Sequence, residues 1–260
     1  MSGTHEGVVD GLWIKAVKGE PMRPAAELLC EARLGIVGDR GAQADSCRQV
    51  LLVDGDVLAD VGLPDGALRE NLTVRGLPLD ALPSGTALTI GEVELRLTIP
   101  CDPCGPIHDY SGVDQRRVAG RRGMLAVVAT GGRIRPGDLA VDGGVRYEPI
   151  PVAPMRRCEW VARHVPVGEV VTFDQVRRAI GMAKGYVRTM PRHVRRLMAE
   201  GAPAQRLVPG SPDAVLDVEQ ADRLRAEGVA VTADGRLGDV SPWLFVDPFY
   251  RLVADTSPAS

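Results

Sequence analysis

The clearest hydrophobic pattern in the chain lies around Glu92–Ile99. Val93, Leu95, Leu97 and Ile99 alternate with Glu92, Glu94, Arg96 and Thr98. A strict period of two predicts a strand with one face in a core and the other in solvent. Pro100 ends it, because proline has no N–H for a ladder. Cys101 and Cys104 follow on the loop that such a strand holds out. Shorter apolar runs lie at Leu12–Val17, Gln49–Val53, Asn71–Val74, Ala87–Ile90 and Met124–Ala129. Turn words such as Asp54-Gly55, Pro64-Asp65-Gly66 and Pro136-Gly137-Asp138 separate them. Many short strands at this spacing predict a barrel or sandwich. Helices are expected near Asp56–Val61 and Val113–Ala119.

The pattern changes after Asp142–Pro154, which reads as a connector, so a domain boundary is placed near residue 150. Cys158, Val161 and Ala162 have helical spacing within Met155–His164. Thr172 is placed to cap a helix over Asp174–Ile180. Gly181–Gly185 is a turn, and a second helix is expected from about Tyr186 to Glu200. Two helices around a glycine-containing turn predict a helix-turn-helix. Arg188, Arg192, Arg195 and Arg196 share one face of the second helix. The tail Ala254–Ser260 is expected to be disordered.

Charge sharpens the division. The whole chain carries −3, but residues 151–260 hold 15 Lys and Arg against 13 Asp and Glu, which leaves −5 on residues 1–150. Arg177–Arg206 holds eight basic residues and one acid, Glu200. Such a block is a solvated face or an anion-binding surface, with DNA as the candidate partner. Five cysteines, an odd number, argue against a disulfide framework, and a reducing cytoplasm is the expected location. The opening MSGTHEGVVDG lacks a secretory pattern, and no run reaches the ~20 apolar residues of a membrane span.

A series of words in the first half resembles the MOSC family, the molybdenum-cofactor sulfurase C-terminal domain. They are Gly38-Asp39-Arg40, Arg69-Glu70-Asn71-Leu72-Thr73-Val74 with Gly76, Gly85, Cys101-Asp102-Pro103-Cys104, Arg122-Gly123, and Gly132 with Gly137-Asp138. The resemblance spans about Gly11 to Asp142. It implies a β-barrel in which Cys104 either ligates molybdenum of a pterin cofactor or carries sulfur. A thiolate suits both roles, being a soft ligand and a nucleophile. Arg40, Arg48, Arg69 and Arg122 are the candidates for the cofactor's anionic groups. Asn71 is a candidate donor to the pterin or an oxo ligand. Cys101 is either structural or a resolving partner for Cys104, and His108 and Asp109 are candidate proton donors. One CxxC without a second ligand pair argues against zinc.

The second half resembles the DNA-binding domain of O6-alkylguanine-DNA alkyltransferases and their alkyltransferase-like relatives. The words are VPVGEVVTFDQVRRAIG, Ala204-Gln205-Arg206-Leu207-Val208, and Leu224 to Val229 followed by Asp234-Gly235. The resemblance implies nucleic-acid contacts from Thr172, Phe173, Arg188, Arg192, Arg195, Arg196 and Arg206. Ala204 stands where the family's alkyl-accepting cysteine falls and Gln205 where its histidine falls, so self-alkylation is lost. Pro191, Arg192 and His193 replace small residues of the family's recognition helix.

The expected architecture is therefore two domains: a mainly-β MOSC barrel over 1–150 and a mainly-α, winged helix-turn-helix-like domain over 151–260. Three functions are compatible. The chain is a molybdenum-cofactor or sulfur-carrying protein coupled to a nucleic-acid-binding domain, acting on modified nucleobases with a redox partner. Alternatively, it is a sulfur-transfer enzyme for a small molecule, loaded on Cys104 by a pyridoxal-phosphate cysteine desulfurase and needing no further cofactor. The third is a non-enzymatic DNA-lesion-binding or regulatory protein.

Overall fold

In the computed structural model, residues 5–17, 19–102, 107–211 and 213–253 are described below. Cys104 and the tail 254–260 lie outside them.

Among the described residues, the runs of the first half form eleven strands. They are β1 (Glu6–Ile14), β2 (Arg23–Pro24), β3 (Leu28–Glu31), β4 (Gly35–Ile36), β5 (Val50–Asp54) and β6 (Leu72–Arg75). Then come β7 (Thr86–Ile90), β8 (Val93–Pro100), β9 (Met124–Thr130), β10 (Gly132–Ile134) and β11 (Leu139–Val145). The order β11-β7-β8-β9-β5-β6-β1 is closed by pairing of β1 with β11, which makes a seven-stranded barrel. Closure leaves no open edge in the ring. Its interior is aliphatic, with Leu52, Leu72, Leu88, Leu95 and Leu97 fully buried. Strands β10, β3 and β4 form a separate three-stranded sheet.

Three local expectations change. The stretch Asp142–Val145, read as connector, is the end of β11, and a register shift there carries the pairing with β7 to Val145↔Thr86. The helix expected over Val113–Ala119 is instead α2 (Ile107–Ser111) and a single 3-10 turn at Gln115–Arg117, following α1 (Gly55–Val61). Gly112 at φ 71° stops the first, and Asp114 caps only the turn by accepting from Arg116 N.

The third change concerns Arg96. Alternation placed it in solvent, yet it is fully buried. The chain returns to the barrel at its C-terminal end, where Tyr147 bridges Leu252 and Glu148 N donates to Arg251 O at 2.9 Å. Arg96 donates to the carbonyls of Glu148 and Phe249 beneath this return, with the Tyr147 ring 5.8 Å away. Phe249 onward accordingly belongs with the barrel, and the second unit is Pro151–Pro248 rather than the whole of 151–260.

The second unit contains α3 (Pro154–His164), α4 (Phe173–Ala179), α5 (Met190–Ala199) and α6 (Val218–Ala226). A short parallel pair, β12 (Val171–Thr172) with β13 (Leu207–Val208), lies among them. The periodic positions Cys158, Val161 and Ala162 are all fully buried. Thr172 caps α4 through a reciprocal box with Gln175, the two-way arrangement that satisfies both orphan N–H groups. The second helix begins later than its pattern indicated: Lys184–Thr189 is 3-10 and α5 starts at Met190. Pro191 explains this, since its ring and missing N–H are accommodated only in a first turn. No described helix is long and apolar enough to cross a membrane.

Candidate functional site

The site begins with the turn that follows α1. Gly66 has φ 84°, and a Cβ there would meet the Trp13 indole at 2.9 Å, so only glycine lets the loop close. Glu70 is fully buried and accepts from Gly66 N at 2.5 Å and Leu68 N at 3.0 Å. Burial pushes its carboxyl above the usual range, while these N–H groups pull it down. The clamp holds Arg69 in the left-handed region at φ 62°, a conformation costly for a residue with a Cβ.

Asn71 sits between three segments. Its Oδ1 accepts from Leu51 N at 3.0 Å, and its Nδ2 donates to Trp13 O at 3.3 Å and to Asp39 Oδ2 at 3.2 Å. Asp39 also accepts from Lys15 N at 2.8 Å and Gly41 N at 2.6 Å. The expected role of Asn71 as a donor to a ligand is thus corrected: both amide hydrogens are engaged by the protein. Its work is to fix Asp39 and, through it, the loop that carries Arg40.

Arg122 comes from the other side. Gly123 must be glycine, because a Cβ would lie 2.0 Å from Leu52 O. The nearly buried Arg122 guanidinium donates from Nη1 to Cys101 Sγ at 2.9 Å and to Asp102 O at 3.0 Å, and from Nη2 to Leu68 O at 3.3 Å. Arg48 Nη2 approaches the same sulfur at 3.9 Å. Cys101 is buried at the end of β8, its N–H donating to Gly123 O at 2.9 Å.

These segments enclose a cleft of about 270 Å³. Arg40, Arg48, Arg69, Asn71 and Arg122, all singled out from sequence, line it together with Lys15, Met22, Asp39 and Gln49. Five cations and the carboxylate of Asp39, which accepts from three N–H donors, thus share the lining. Burial, and then the charges of Arg69 and Arg40, lower the Lys15 ammonium below the ordinary lysine range. A second recess of about 290 Å³ continues past Met22 and Arg69 toward Gly19 and Gly66. His108 and Asp109 do not join the cleft lining; both are exposed on α2. Lys15, Met22 and Gln49 were missed. Lys15 follows a strand with nothing around it to distinguish it from any surface lysine.

In the second unit the expected nucleic-acid residues separate into groups. Arg188, Arg192, Arg195 and Arg196 are exposed. Arg196 Nε donates to Glu200 at 2.9 Å. Arg206 is a correction: it is nearly buried, bonded to Glu227 at 2.9 Å and to Val165 O at 2.7 Å, and braces the fold. Thr172 spends its hydroxyl on the α4 cap. Phe173 is 5% exposed and lines a cavity of about 270 Å³ with Pro191, Arg195, Pro209, Leu216 and Asp217. Ala204 is fully buried, and Gln205 donates to Glu227 at 2.5 Å, so no thiol or base stands there.

Residues 43–141 match the MOSC domain model, and the chain carries a MOSC domain over that span. Lys15 and Arg40 precede the matched span but belong to the same cleft. No curated protein matches the chain. Among solved structures, the YUAD protein from Bacillus subtilis is 22% identical over 55% of this chain and 98% of its own, at a TM-score of 0.45. YiiM from Escherichia coli is 19% identical over 75% of this chain and 94% of its own, at 0.44. Atl1 of S. pombe, solved in complex with damaged DNA containing O6-carboxymethylguanine, is 25% identical over 33% of this chain and 88% of its own, at 0.28.

Proposed function

We propose that the first unit is a molybdenum-cofactor-binding or sulfur-carrying MOSC protein whose anionic ligand occupies the cation cleft. The observation that carries this reading is the convergence of Lys15, Arg40, Arg48, Arg69 and Arg122 on one recess, next to the strand end that leads into Cys101-Asp102-Pro103-Cys104. Five cationic side chains lining one recess present the charge and the N–H donors that an anionic group needs. A phosphate-bearing pterin dithiolene fits that donor set. Arg40 and Arg69 would hold its phosphate, and Arg48 and Arg122 would flank its sulfur-rich end beside Cys101. Bound there, the cofactor supplies two-electron redox chemistry. The chain supplies charge, orientation and the Cys104 thiolate as soft ligand. The test is the molybdenum and pterin content of full-length protein from cells with a working cofactor pathway. Near-stoichiometric amounts of both support the reading. Sulfane sulfur on Cys104 without metal would favour the sulfur-transfer alternative, loaded by a cysteine desulfurase.

The second unit is read as a winged helix-turn-helix-like module that binds nucleic acid without alkyl transfer. The exposed Arg192 and Arg195 of α5 favour it; Arg188, expected on the same helix face, is exposed on the 3-10 segment before α5. The cavity beside Phe173 offers an aromatic wall, a guanidinium and a carboxylate, a lining suited to a flipped base. Joined in one chain, the two units point to chemistry on modified nucleobases through a redox partner.

A further inference from the structure

Among the described residues the cleft of the first unit is lined by four arginines and one lysine, and of these cations only the lysine can release a proton, because a guanidinium stays charged in proteins. The residues expected to donate protons, His108 and Asp109, lie outside its lining. Asp39 lines it, but its carboxylate accepts from Lys15 N, Asn71 Nδ2 and Gly41 N and acts as a fixed acceptor. The Lys15 backbone is anchored beside the cleft: its N–H donates to Asp39 and its carbonyl accepts from Arg40 N at 2.8 Å. The charged groups facing it are Arg69 from the 66–70 loop, Arg40 and Asp39 from the 38–41 loop, and Glu20 from the segment after β1. Burial and the two arginines weaken its hold on its proton, against a partial offset from the two acids.

We propose that Lys15 is the proton-exchanging residue of the cleft: as an ammonium it helps hold a bound oxyanion, and it can pass one proton to that oxygen. In the transfer one N–H bond breaks, one O–H bond forms, and the ammonium becomes a neutral amine, with no change in oxidation state. The inference rests on the reading of the cleft as an anion site. By linkage, an anion that prefers the ammonium raises the proton affinity of Lys15. Anion affinity then falls by up to about tenfold per pH unit once the pH passes the titration point of the free lysine.

Sulfate is a suitable probe, since its own charge is constant over roughly pH 6 to 11, a window that spans the ordinary lysine value. Calorimetric titration of the full-length protein should show sulfate affinity declining toward the alkaline end. Lys15→Arg should bind sulfate with a flat profile, and Lys15→Met should bind more weakly and also flat. The side-chain amine resonance of Lys15 should move to higher pKa when sulfate is added. A Lys15→Arg variant that keeps the wild-type pH dependence would overturn the assignment of Lys15 alone. Wild-type protein that binds no sulfate at any pH would overturn the anion-cleft reading beneath it.

Discussion

Replacing Arg96 by methionine tests the part of the fold that sequence alternation misplaced. The side chain is fully buried and donates to the carbonyls of Glu148 and Phe249. Hydrogen bonds from a charged group contribute about 1.5–3 kcal/mol each. Burial has lowered the guanidinium to about 10, which corresponds to roughly 3 kcal/mol of lost solvation, recovered when the charge is removed. Two such bonds set against the recovered solvation leave a net loss of up to about 3 kcal/mol, enough to lower the melting temperature of the first unit by up to about 10 °C. The loss should be local in origin. Amide exchange at Glu148 and Val253, which donate to Arg251 O and Arg146 O, should accelerate more than exchange in β5 or β9. A variant that melts like wild type with unchanged protection at these two amides would refute the role given to Arg96.

Other expectations follow from the two sites. DNA binding by the full chain is tested by its salt slope: contacts from Arg188, Arg192 and Arg195 give a log–log slope near −3, since each neutralised phosphate contributes about −0.9. Charge reversal at Arg192 and Arg195 should flatten it, whereas Arg206→Ala should lower stability through the Glu227 bridge. Incubation with an oligonucleotide carrying O6-methylguanine should leave the protein mass unchanged by mass spectrometry, because Ala204 is a buried methyl group; a gain of one methyl would show another acceptor. Cys104→Ser should abolish metal or sulfur loading, measured by elemental and sulfane-sulfur analysis. Cys101→Ser should reduce it only in part, through loss of the Arg122 contact.

What was legible in the sequence followed from local rules. Strand β8, the Thr172 cap and the buried face of α3 all obey short-range periodicity or capping chemistry. Arg40, Arg69 and Arg122 were legible because each stands in a short word, and Gly123 beside Arg122 and Glu70 beside Arg69 show the backbone requirement behind it. Contacts between distant segments were not legible. Arg96 reads as a solvent-face residue until a segment more than 150 positions later covers it. Arg206 reads as a phosphate contact until Glu227 is found beside it. Lys15 joins the site only because β1 ends next to the loop of Asp39 and Arg40.

The central claim is that one cleft at the end of β8 holds the anionic cofactor. Anomalous diffraction at the molybdenum edge, from crystals of cofactor-loaded full-length protein, tests it most directly. The expected result is a single strong peak within coordination distance of Cys104 Sγ, with the cofactor's phosphate contacting Arg40 or Arg69. A metal peak remote from Lys15, Arg40, Arg48, Arg69 and Arg122 would contradict it.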